Sequence, residues 1–197
     1  MMTRMDELRM AVWTVAVCAA VALRTACAAD GLCGFVDPFI GTEGNGHTHP
    51  GAAAPFGLVQ AGPDTGNGTW AYCSGYRFGD RTTRGFSQTH LNGTGCPDLG
   101  DVSIFPFTGE RPAKFESRFS HERETASPGY YAVTLKDAAV RVEIAAAKHS
   151  AIYRFKSLDA DLPRLLVDLQ YGILNWSDKT GTDRVVSCEV RREGDCR

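Results

Sequence analysis

The run Ser127-Pro128-Gly129-Tyr130-Tyr131-Ala132-Val133-Thr134-Leu135-Lys136-Asp137-Ala138-Ala139-Val140-Arg141-Val142-Glu143-Ile144-Ala145-Ala146 carries the clearest periodicity in the chain. Tyr131, Val133 and Leu135 alternate with Tyr130, Ala132 and Thr134. After Lys136-Asp137-Ala138, Val140, Val142, Ile144 and Ala146 alternate with Arg141, Glu143 and Ala145. Period two sends successive side chains to opposite faces of a strand, so two half-buried strands joined as a hairpin are expected. Ser127-Pro128-Gly129 supplies the turn ahead of them. Outward from this hairpin, residues 152–155 and 164–169 read as strands. Upstream, so do residues 56–60, ended by Gly62-Pro63-Asp64, and residues 101–105, stopped by Pro106. Outside the first residues no window shows an i, i+3, i+4, i+7 stripe. Closely spaced strands without intervening helices predict an all-β fold, a β-sandwich of mainly antiparallel strands. Its long Gly-rich loops fall between Asp30 and about Gly100, where Gly, Pro, Asn, Thr and His are dense.

The whole chain has 197 residues, 43% hydrophobic and 22% charged, with a formal net charge of −2. That balance gives no bulk attraction to nucleic acid or anionic membrane, and no basic run is interleaved with aromatics. Residues 1–29 read as a secretory signal peptide: Arg4 and Arg9, an apolar run from Met10 to Leu23, then Ala26-Cys27-Ala28-Ala29. The expectation is a secreted or periplasmic protein without membrane attachment after cleavage. Residues 30–182 form the domain, and 183–197 an irregular tail in which Asp183 to Cys188 begins like a strand. Cys33, Cys73, Cys96, Cys188 and Cys196 lie beyond the signal. An odd number in an exported chain leaves at least one thiol unpaired within it. No CxxC occurs.

Three segments hold the residue types that do chemistry. Gly41-Thr42-Glu43-Gly44-Asn45-Gly46-His47-Thr48-His49-Pro50-Gly51 has two histidines at i, i+2, which fall on one face of an extended backbone and could share a metal. No carboxylate follows closely and Pro50-Gly51 breaks a strand, so His47 and His49 read instead as supports of a Gly-rich loop. Trp70-Ala71-Tyr72-Cys73-Ser74-Gly75-Tyr76 clusters aromatics in a small-residue loop. Such rings pack against the C–H face of a sugar while neighbouring polar groups take its hydroxyls; they can equally cover the edge of a core. Gly85-Phe86-Ser87-Gln88-Thr89-His90-Leu91-Asn92-Gly93-Thr94-Gly95-Cys96-Pro97-Asp98-Leu99-Gly100-Asp101 sets short polar side chains among glycines that allow close backbone approach. No Lys follows the glycines, so this is not a phosphate-binding loop. Cys96 near His90 suggests a thiol nucleophile only weakly, with no orienting partner in the sequence.

Glycoside hydrolysis needs an acid and a base or nucleophile, usually two carboxylates. Glu43, Asp64, Asp98 and Asp101 qualify by type, but sequence gives no separation between them.

Taken in order, these segments resemble the N-terminal domain of glycoside hydrolase family 92, the calcium-dependent exo-acting α-mannosidases. The resemblance is carried by Val36-Asp37-Pro38-Phe39-Ile40-Gly41-Thr42, Gly46-His47-Thr48-His49-Pro50-Gly51-Ala52 and Pro55-Phe56-Gly57-Leu58-Val59-Gln60. It continues through Trp70 to Tyr76, Gly85-Phe86-Ser87, Thr89-His90-Leu91-Asn92-Gly93-Thr94-Gly95-Cys96 and Leu99-Gly100-Asp101. Ser120-His121-Glu122 and Ala126-Ser127-Pro128-Gly129-Tyr130-Tyr131 complete it. The resemblance implies a β-sandwich followed by an (α/α)6 barrel, with the active site between them. It places the catalytic acid, the base and most of the calcium site in the barrel, and it implies inversion of configuration.

On that reading no catalytic residue lies in this chain. Trp70, Cys73, Tyr76, His90, Asn92, Gly93, Thr94, Gly95, Cys96 and Asp98 would face a mannose-containing glycan. The partners would be that glycan and the C-terminal barrel, without which Trp70, Tyr72 and Leu91 would leave apolar surface in water. One departure is local: family members often show Ser-His-Thr-His where this chain has Ser87-Gln88-Thr89-His90. Two alternatives stand beside this reading: a stand-alone carbohydrate-binding module, and a metal hydrolase built on His47, His49 and His90.

Overall fold

The computed structural model describes residues 31–66, 68–173 and 187–189. The expected signal peptide and most of the irregular tail, including the strand start at Asp183, lie outside them. Met1–Asp37 and Pro38–Arg197 are separate compact units. In the first, the described residues form a single 3₁₀ turn at Leu32–Phe35.

The second unit is all-β, with antiparallel pairing in every ladder described. In chain order its strands are β1 (Ala52–Ala53), β2 (Gln60–Asp64), β3 (Thr82–Thr83), β4 (Gly85–Ser87), β5 (Ser103–Phe107), β6 (Ser117–Arg118) and β7 (Glu124–Ser127). They continue with β8 (Tyr130–Leu135), β9 (Val140–Ala146), β10 (Ala151–Ser157) and β11 (Arg164–Asp168). One sheet runs β1-β2-β4-β5-β11, the other β10-β9-β8-β7, and β3 pairs with β6 apart from both.

The hairpin read from the sequence is the centre of the four-stranded sheet. β8 and β9 pair from Tyr130↔Ala145 to Leu135↔Val140. In β9 the alternation is kept: Val140, Val142 and Ile144 are buried, with Arg141 and Glu143 between them half-buried. β8 departs from it, because Ala132 and Thr134 are buried as well as Tyr131, Val133 and Leu135. The Arg141 side chain reaches across to Thr134 Oγ1 on that second face. The core lies between the sheets, where Phe86, Phe105 and Phe107 meet Tyr131, Val133, Val142 and Ile144. Phe86 and Tyr131 sit with ring centroids 6.5 Å apart. Burial of such side chains is worth about 1.5–3 kcal/mol each and is the main force closing the sandwich.

Strand boundaries differ from the sequence reading at residues 56–60 and at two prolines. The strand expected at residues 56–60 is a loop: Gly57 N–H closes a turn on the Ala54 carbonyl, and Phe56 adopts φ 56°. β2 begins at Gln60 and runs through Gly62-Pro63-Asp64, the stretch taken as its stop. β5 likewise runs through Pro106. A proline is tolerated in a ladder only where no partner needs its missing N–H. β1 reaches β2 only at Gln60 and Ala61, and β4 reaches β5 only at Ile104, so Pro63 and Pro106 each lie where pairing is one-sided.

Candidate functional site

The three motif segments converge. Gly93 N–H donates to the His47 carbonyl (2.6 Å), and Phe78 N–H, just past the aromatic loop, donates to the Thr42 carbonyl (2.9 Å). Ser74 Oγ donates to the Thr48 carbonyl (3.0 Å). The Trp70 indole N–H donates to the Gly95 carbonyl (2.9 Å). Each segment is also folded on itself. Thr48 N–H bonds the Gly41 carbonyl, and the return is so tight that a Cβ on Gly46 would stand 2.1 Å from the Gly41 oxygen. The loop 91–98 is closed at its neck by the His90↔Leu99 bridge and by Thr89 Oγ1 donating to Asp101 Oδ2 (2.7 Å).

Beneath this junction lies a buried ionic pair. Asp64, at the end of β2, is fully buried; Oδ2 accepts the Ser87 N–H (2.9 Å) and Oδ1 meets His90 Nε2 (3.1 Å). His90 Nδ1 faces the Gln60 carbonyl (2.7 Å) and therefore carries a proton. A bare Nε2 lone pair aimed at a carboxylate would be repulsive, so the ring is an imidazolium. Burial by itself lowers the His90 pKa; the Asp64 charge and hydrogen bond, with the Gln60 carbonyl, outweigh it and raise it. His49 stacks on His90 with centroids 4.4 Å apart. Its Nδ1 accepts the Gly51 N–H (3.0 Å), so Nε2 carries the proton toward Gln60 Oε1 (3.4 Å) and the ring is neutral. Burial first, and the charged His90 second, hold its pKa well below the usual histidine value.

This constellation is not a nucleophile triad. In a Ser-His-Asp triad serine and aspartate occupy opposite ring nitrogens. Here Ser87 Oγ (3.1 Å) and Asp64 share Nε2 while a backbone carbonyl holds Nδ1. The same bonds occupy both nitrogens of His90, so it is no base for the Cys96 thiol.

The expected glycan-facing residues divide into two sets. Trp70, Asn92, Gly93, Thr94, Gly95, Cys96 and Asp98 are exposed or half-buried on the outer loops, and Asp98 Oδ1 accepts the Leu99 N–H. Tyr76, Cys73 and His90 are buried beneath those loops. The Tyr76 hydroxyl is turned inward to the Glu124 carboxylate at 3.1 Å. The Cys73 thiol caps the Trp70 carbonyl (2.7 Å), and burial pushes its pKa up, away from a reactive thiolate. His90 sits in the ion pair. Of the side chains expected to expose apolar surface, Trp70 stands 45% exposed, whereas Tyr72 and Leu91 are half-buried.

Residue spacing did not reveal how Asp64 and Ser87 hold His90, since Asp64 is remote in sequence and sits in what read as a turn. Gln88 serves the sandwich. Its Nε2 donates to the Phe86 and Val102 carbonyls (both 3.2 Å), and its Oε1 accepts the Tyr153 hydroxyl (2.8 Å) from the other sheet. His47, His49 and His90 do not converge, and no group of three metal-ligating side chains is found among the described residues. Among them, too, no helix is long and apolar enough to cross a membrane.

The family model of the Glycosyl hydrolase family 92 N-terminal domain matches residues 35–196. A family GH92 α-mannosidase from Bacteroides thetaiotaomicron, solved with mannoimidazole, is 41% identical with a TM-score of 0.68, over 72% of this chain and 20% of that one. The family GH92 inverting mannosidase of Bacteroides thetaiotaomicron VPI-5482 is 31% identical with a TM-score of 0.60, over 68% and 19%. An uncharacterized secreted glycosidase of Arthroderma benhamiae is 30% identical over 68% of this chain and 19% of its own length. The chain thus spans about a fifth of the length of these relatives.

Proposed function

Because the chain belongs to the glycosyl hydrolase family 92 N-terminal domain family, we propose that it is the glycan-binding front domain of an exported α-mannosidase. It presents the loops 41–51, 70–76 and 91–98 to a terminal mannosyl unit. The observation that carries this reading is the mutual pinning of those three loops around a half-exposed Trp70. An indole held at its edge by a single exposed hydrogen bond offers its face to the C–H side of a pyranose, and the exposed backbone and side chains of residues 92–96 offer partners for hydroxyls.

The bond-breaking carboxylates and the calcium ion are assigned to a further domain. Side chains inside this chain support that division: Asp64 and Glu124 are buried in internal bonds. Large apolar side chains standing in solvent at Phe56, Leu58, Ile152, Leu162, Leu165 and Val167 are suited to contact with such a domain. Export rests on the signal-like first residues and on the relative named as secreted.

Titration of the chain with methyl α-mannopyranoside, followed by calorimetry and indole fluorescence, tests the reading. Saturable millimolar binding that Trp70→Ala abolishes is expected, with no hydrolysis of an aryl α-mannoside by the chain alone. A flat titration would remove the glycan site.

A further inference from the structure

His47 differs from its neighbours. His49 and His90 each have both ring nitrogens bonded. Both nitrogens of His47 are buried with no hydrogen-bond partner among the described residues, in a residue only 5% exposed. Buried polar atoms without partners are rare, because desolvation is not repaid by any bond. The ring is covered by the Trp70 indole, centroids 4.2 Å apart and planes inclined by 58°. That cover is half in solvent and its side chain is tied by the bond to the Gly95 carbonyl. Beside it the backbone at Gly93 is open: a Cβ there would meet nothing within 4 Å among the described residues.

We propose that His47 is a sugar-contacting residue: when the Trp70 indole shifts to meet a hexopyranose, one His47 ring nitrogen takes a hydroxyl of that sugar. This rests on the glycan-binding reading above and adds to it a polar contact that the loop-support role did not include. The chemistry favours a hydroxylated ligand. An imidazole nitrogen donates or accepts a hydrogen bond, and a hydroxyl does both, so either arrangement is matched. A metal ion would need further ligands, and no such group converges among the described residues. Gly93 N–H on the His47 carbonyl fixes the backbone, so that indole and imidazole answer to the same loop.

The test uses the full chain and methyl α-mannopyranoside, with glycerol as a non-ring polyol control. Histidine side-chain 15N–1H correlations and the Trp70 indole N–H are followed together by NMR. The expected result is saturable movement of the His47 ring nitrogens with the same midpoint as the Trp70 indole, and none with glycerol. His47→Phe, which keeps a ring against Trp70 but removes its nitrogens, should weaken mannoside binding on the order of tenfold. If that variant does not fold, the wild-type spectra decide alone. Indole movement with static His47 nitrogens, or equal movement with glycerol, overturns the inference and leaves the glycan site standing. If neither group moves, the glycan site and the inference fall together.

Discussion

The imidazole of His49 lies against that of His90 with ring planes inclined by 26°, and only one of the two carries charge. His90 is the ion paired with Asp64. His49 is kept neutral by burial and by that same ion. The pKa values of two neighbouring histidines are thus shifted in opposite directions, and both sit under the loops that form the candidate site.

Their contributions to stability have opposite signs. His90 has a raised pKa, so its contribution is fully present below the unfolded value of about 6.5 and is lost as pH rises through the folded value. His49 is neutral when folded and protonated when unfolded in acid. Its contribution is present above about 6.5 and is lost as pH falls below it. Urea midpoints of His49→Gln measured from about pH 5 to pH 9 should lose less on the acid side than wild type while keeping the alkaline decline. Identical acid limbs for variant and wild type would show that His49 is not held neutral. His90→Gln leaves Asp64 buried without its counter-ion and should cost about 3–5 kcal/mol.

A second buried carboxylate ties the aromatic loop to the four-stranded sheet. Glu124, in β7, accepts hydrogen bonds from Tyr76 (3.1 Å) and Tyr131 (2.6 Å) and contacts His121 Nδ1. Burial first, then the Glu124 charge, raises the pKa of both tyrosines, so they remain donors at any ordinary pH. Tyr131→Phe should cost about 1.5–3 kcal/mol in denaturant unfolding, the range for hydrogen bonds to charged acceptors. Tyr76→Phe should cost a similar amount, and the two should not add, since they share one carboxylate. An unchanged midpoint for Tyr131→Phe would contradict the role given to Glu124.

The strong period-two signal around Tyr131 and Val142 made the sandwich legible, because alternation is a local consequence of burying one face. The loop-borne motifs told which segments matter, and all three do meet. What spacing could not tell is which side chains turn inward. Tyr76 and Trp70 are the same kind of residue in the same loop, yet one is buried on Glu124 and the other half-exposed. That difference depends on a glutamate far along the chain. The prolines misled for the same reason: whether Pro63 ends a strand or rides in it depends on how far β1 extends, which is long-range information.

Glycines in the loops separate steric need from conformational need. At Gly46 a Cβ would meet the Gly41 backbone oxygen at 2.1 Å, and backbone cannot move aside as a flexible side chain would. At Gly93 there is open space, but φ is 75°. Gly93→Ala should therefore cost only the left-handed penalty of about 1–2 kcal/mol. Gly46→Ala should cost more and should open the 41–51 loop, seen as faster amide exchange at Thr48, whose N–H bonds Gly41. Equal losses for the two variants would rule out the close approach as the reason for Gly46.

Gln88 and Tyr153 bridge the two sheets through a single side-chain hydrogen bond of 2.8 Å, with Tyr153 half-buried and its pKa raised chiefly by desolvation. Gln88 also holds two backbone carbonyls, so its loss exceeds that of the tyrosine hydroxyl. Tyr153→Phe should cost about 1 kcal/mol, the typical net worth of a neutral hydrogen bond, and Gln88→Ala about twice that. In a double-mutant cycle the pair should show a coupling of about 0.5–1.5 kcal/mol, because each variant removes the same bond. Gln88→His cannot reproduce two amide donors and one carbonyl acceptor at once. It should be less stable than wild type while leaving the loops at Trp70 and Gly93 able to bind sugar. A Gln88→His chain as stable as wild type, or one that gains affinity for methyl α-mannopyranoside, would mean that position 88 serves the glycan site and not the sandwich.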